Sequence, residues 1–69
     1  MATKRVELVR AIAVQLKRTS REVDSRAVAE VIDGSARIAG LYDSVYRAGA
    51  SGGQWGALLR DVARFWEQA

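Results

Sequence analysis

Between Thr3 and Arg18 the apolar residues Val6, Val9, Ile12, Ala13 and Leu16 recur at spacings of three and four, which predicts a helix over 3–18 with one apolar stripe. Arg5 and Leu8 flank the stripe on one side, and Arg10 and Lys17 on the other. Lys17 and Arg18 also suit the negative end of the helix dipole. Thr19 to Val23 reads as a connection. Asp24 then offers an N-cap, and Val23 and Val28 stand where a hydrophobic staple closes, so a second helix is expected to begin at Ser25.

From there Val28, Val31, Ser35, Ile38, Tyr42, Val45 and Gly49 alternate steps of three and four, and Ile32, Ala39 and Tyr46 widen the same face. A neighbouring row, Ala27, Gly34, Leu41 and Ala48, is mostly small. The pattern predicts one continuous helix over 25–48 whose apolar surface covers roughly half its circumference, against the ~100° stripe that one packing neighbour needs. Such a helix is expected to touch its own chain on one side and a symmetry mate on the other. That places Val28, Val31, Ile32, Ser35, Ile38 and Ala39 at a homodimer interface. Gly34 and Gly40 each cost about 1 kcal/mol against alanine in a helix interior. Either is a candidate break, but the preferred expectation keeps the helix whole and uses Gly34 for close approach of a facing helix. Gly49 suits the helix end, and Ser51 with Gln54 matches a capping box for a third helix over 53–68. That helix carries Trp55, Leu58, Leu59, Val62, Phe65 and Trp66 on one face.

Length sharpens the expectation of self-association. A chain of 69 residues holds a single helical domain, 1–69, and buries only about 60% of the surface its unfolded form exposes. It has no cysteine or histidine to staple the core through a disulfide or a metal. With 49% hydrophobic residues and a net charge of only +3 it is expected to fold, and the absence of proline favours helices. The fold class predicted is all-α: a helical hairpin with a short third helix, assembling as a homodimeric helix bundle. No apolar run reaches a membrane-span length and no signal-peptide pattern opens the chain, so a cytoplasmic location is expected.

Catalytic chemistry finds no purchase. General acid–base and nucleophilic catalysis draw on His, Cys or tuned carboxylate pairs, and here the first two are missing and the acids are scattered. The segment Gly49-Ala50-Ser51-Gly52-Gly53 opens a helix but follows no strand and lacks the Gly-Lys-Ser/Thr of a phosphate loop. No enzyme, cofactor or metal site is expected, and recognition remains. Tyr, Trp and Arg anchor interfaces most often. Tyr42 and Tyr46, flanked by Asp43 and Arg47 and joined by Trp66, form the candidate partner-binding set. An aromatic at helical spacing is usually core, the stronger expectation for Trp55 and Trp66, while for Tyr42 and Tyr46 core and interface are balanced. Charge suggests an alternative. Residues 1–26 carry +4 and the remainder −1. A small DNA-binding regulator would use the first helix and the Thr19–Arg26 turn for phosphate contacts. A helix-turn-helix needs a short recognition helix, however, and a continuous helix over 25–48 is too long for one groove.

The stretch Leu41-Tyr42-Asp43-Ser44-Val45-Tyr46-Arg47-Ala48-Gly49, in a short cysteine-free helical chain, resembles the early-region anti-quorum-sensing proteins of Mu-like pseudomonad phages. The resemblance implies a homodimer of helical hairpins acting in the host cytoplasm as a non-enzymatic anti-activator. Its partner would be a LuxR-type quorum-sensing transcription regulator, with a type IV pilus assembly ATPase as a second target.

Overall fold

Leu8, Val9, Ile12, Ala13 and Leu16 are all buried, and they belong to the first helix, which packs extensively against all three others. The computed structural model describes residues 3–69 as α1 (Thr3–Arg18), α2 (Ser25–Gly34), α3 (Ala36–Val45) and α4 (Gly52–Gln68). Among the described residues there is no strand. α1 packs against α2, α3 and α4, and α2 packs against α3. Three neighbours explain why Leu8, expected at the edge of the apolar stripe, is fully buried. They also turn Val6, expected within the stripe, outward to 39% exposure. The radius of gyration, 10.8 Å, equals the roughly 11 Å of a compact chain of this length, so one copy closes its own core.

α1 ends in a paired hydrogen-bond motif. The Arg21 N–H donates to the Leu16 carbonyl at 2.9 Å and the Ser20 N–H to the Lys17 carbonyl at 3.1 Å, the two bonds of a Schellman cap. That geometry places Ser20 in the left-handed region at φ 57°, where glycine is the unstrained residue. Ser20→Gly should therefore raise stability by about 1 kcal/mol, read as a higher midpoint in urea at unchanged slope. An unchanged or lower midpoint would show that the left-handed serine carries no strain.

The helix expected over 25–48 is two helices. Asp24 caps α2 as predicted, its carboxylate accepting from the Ala27 N–H at 2.8 Å. α2 stops at Gly34, and Ser35 adopts an extended conformation, φ −133° and ψ 115°. Its hydroxyl then accepts from the Ile38 N–H at 3.2 Å and so caps α3. Two features of the heptad pattern conceal this break. Ser35 occupies a heptad position where its role as a cap looks like a tolerated polar residue, and the apolar spacing continues in phase beyond it. The break has a packing consequence. Folding α3 back onto α1 and α2 lets one chain cover Val28, Ile32 and Ile38, which are 0%, 7% and 5% exposed. The apolar surplus that a straight helix would display is thus absorbed within the chain.

α3 ends at Val45 rather than at Ala48, with Tyr46 as its C-cap. Gly49 lies in the following turn at φ 87°, its N–H donating to the Tyr46 carbonyl at 2.9 Å. The expected capping box of α4 is present: the Gln54 N–H donates to the Ser51 hydroxyl and the Ser51 N–H to the Gln54 side-chain oxygen. α4 contributes Leu58 and Val62 to the buried core, with Trp55, Leu59, Phe65 and Trp66 partly buried against it.

Candidate functional site

The five residues expected to meet a partner are not brought to one surface. Tyr46 is buried, and the Arg5 guanidinium is pushed above its ordinary pKa by its hydrogen bond to Asp61, with a further contribution from Tyr46. Tyr42 is half-buried. Its hydroxyl accepts from the Ala50 N–H at 3.1 Å, and its ring meets those of Tyr46 and Trp55 at 5.2 and 6.3 Å between centroids. The Tyr42 phenol thus pins the α3–α4 turn, and the Tyr46 ring packs against it. Asp43 and Arg47 are exposed. Trp66 is half-buried under the Lys17 ammonium, which sits 3.8 Å from its ring centre. Tyr46 beside Arg5 and Trp66 beside Lys17 lie near opposite ends of α1, about 18 Å apart along its axis. Of the residues expected at a dimer interface, Val28, Ile32 and Ile38 lie in the chain's own core, while Val31, Ser35 and Ala39 are partly buried.

An open groove runs between α1 and the start of α3, with a volume of about 450 Å³. Arg10, Gln15 and Arg18 of α1 line one wall, and Ser35 and Arg37 lie across from them at the first turn of α3. All three arginines are exposed, and among the described residues none has an ion-pair partner. Glu7 is the only acid on the groove. Three unpaired guanidinium groups at the N-terminal, partially positive end of a helix make a surface suited to anions. Arg37 is the residue that sequence reading passed over. It belongs to the acidic two-thirds of the chain and joins the basic first helix only because α3 folds back at Ser35.

Three other cations near α1 and α2 are held in ion pairs. Arg5 pairs with Asp61 at 2.8 Å, and Arg21 and Arg26 both reach Glu30, at 2.7 and 3.3 Å. The hydrogen bond from Arg21, first, and then its charge hold the Glu30 carboxyl below the ordinary glutamate range. This exposed cluster therefore contributes its small stabilisation at neutral pH and loses it as pH falls through that lowered value. Among the described residues, no group of three or more potential metal ligands gathers, and no helix is long and apolar enough to cross a membrane.

No protein-family model matches this chain, and neither a curated protein nor a solved structure shows significant similarity to it.

Proposed function

We propose that the chain is a small, non-enzymatic nucleic-acid-binding protein that seats the phosphate backbone of a duplex in the α1–α3 groove. The observation that carries this function is the meeting of Arg10, Arg18 and Arg37, from two helices, on one open groove without internal partners. Arginine forks fit phosphate oxygens in two-point contacts, and helix N-termini are common phosphate contacts on duplexes. The break at Ser35 removes the geometric objection to DNA. α3 has 10 residues, about 15 Å of helix, a length that fits one groove.

Salt provides the test. With three arginines on phosphates, the logarithm of the binding constant for a short labelled duplex should fall against the logarithm of salt with a slope of about −2.7. Arg37→Ala should reduce the magnitude of that slope by about 0.9. Binding that ignores salt, or an Arg37→Ala slope equal to that of the parent, would rule out the groove as the phosphate seat.

A second function, the anti-activator implied by the phage resemblance, is favoured by one feature. Val6 and Val14, the exposed large apolar residues, both border the α1–α4 seam, a surface that suits a protein partner. Binding of a LuxR-type regulator or a pilus ATPase belongs to this second function.

A further inference from the structure

Phe65 of α4 forms the wall between two shallow cavities of about 250 Å³ each along the α1–α4 seam. Val6, Val9 and Arg64 line the one, and Ala13, Val14 and Gln68 line the other. Val6 and Val14, at 39% and 37% exposure, therefore stand on either side of the same aromatic ring. Eight residues separate them on α1, about 12 Å along the axis, which is the distance between side chains two turns apart on a docked helix.

Charge decides what that docked helix carries. Arg10, whose guanidinium carbon lies 5.9 Å from the Phe65 ring centre, and Arg64 border the strip. Both are exposed and, among the described residues, without ion-pair partners. The acid on the seam, Asp61, is already held by Arg5 at 2.8 Å. A second copy docked about a two-fold axis would bring the same arginines to the same strip, whose own lining sets Arg5, Arg10 and Arg64 against Asp61, with Asp61 already taken by Arg5. We infer that the α1–α4 seam docks an acidic amphipathic helix of a partner protein. Its apolar side chains, two turns apart, fill the notches beside Phe65, and its flanking carboxylates meet Arg10 and Arg64. Arg10 and Val14 line both surfaces, whereas Val6 and Arg64 line the seam and not the α1–α3 groove, so variants at these two residues test the seam apart from the phosphate seat.

The experiment uses two synthetic helical peptides with leucines two turns apart, one flanked by glutamates and the other by lysines at the same positions. Fluorescence anisotropy with the full chain should show the glutamate peptide binding at least about tenfold more tightly, a difference that shrinks with salt. Val6→Ser and Arg64→Glu should each weaken it about fivefold to tenfold, with duplex binding and the circular-dichroism melt unchanged. Arg64→Glu, whose side chain is exposed, should also improve binding of the lysine peptide. Equal binding of the two peptides, or binding of neither, overturns the inference. So does a concentration-dependent dimer that Val6→Ser abolishes, since a second copy would then occupy the seam.

Discussion

Ile12→Ala should remove about 2–5 kcal/mol of stability, a large part of what this protein has. Ile12 is fully buried at the middle of α1, the helix that the other three share, so its loss opens a cavity that no single helix can move to fill. A chain of this length holds about 3–10 kcal/mol in total. In a domain this small each kcal/mol shifts the melting midpoint by about 4–8 °C, so the variant should melt at least about 8 °C lower. Ile12→Val, which keeps most of the volume, should cost only about 0.5–1.5 kcal/mol. Thermal circular dichroism of the two variants checks both values. An Ile12→Ala midpoint close to that of the parent would mean that α1 is not the shared core.

Reversing two charges on the groove should have the largest effect on binding. Hydrogen bonds to charged groups contribute about 1.5–3 kcal/mol, near tenfold or more in affinity for each. The double variant Arg18→Glu with Arg37→Glu should therefore bind a duplex at least about 100-fold more weakly. A control with Arg47→Glu and Arg60→Glu makes the same change in net charge at exposed residues that do not line the groove. If affinity follows position, the control loses far less. Equal losses in the two double variants would show that overall charge, and not the groove, governs binding. All four positions are exposed, so circular dichroism should show both proteins folded.

The elements of this fold were legible wherever a local signal stood alone. Asp24 before Ser25, the Ser51–Gln54 pair, and the apolar spacing of α1 and α4 each act within one turn or one face. The break at Ser35 was not legible in the same way. Serine is equally at home as a polar interruption of a heptad and as a cap, and the choice depends on whether α3 gains more by folding back onto α1 than by extending. That gain is long-range: Ile38 and Tyr46 become buried against partners distant in sequence. The break at Ser35 also changes where the tyrosines and arginines of α3 lie. Tyr42 and Tyr46 form an exposed ridge on a straight helix, but on the folded-back α3 Tyr42 fastens the turn into α4 and Tyr46 is buried against it. Arg37 is one charge among many on a straight helix; after the break it faces Arg10 and Arg18 across the groove. The candidate surface is thus a product of one residue's backbone conformation, and composition alone places its charge only in the first helix.

Because the groove exists only where α3 returns to α1, the most direct test maps a bound duplex residue by residue in a ¹⁵N-labelled chain. Titration with a short DNA duplex at low salt should shift the backbone amides of Ala11, Gln15, Arg18 and Ser35 to Ile38 first and furthest, leaving Val6 and Arg64 nearly still. Shifts centred on Val6, Arg64 and Phe65, or no shifts at all at low salt, would contradict the account.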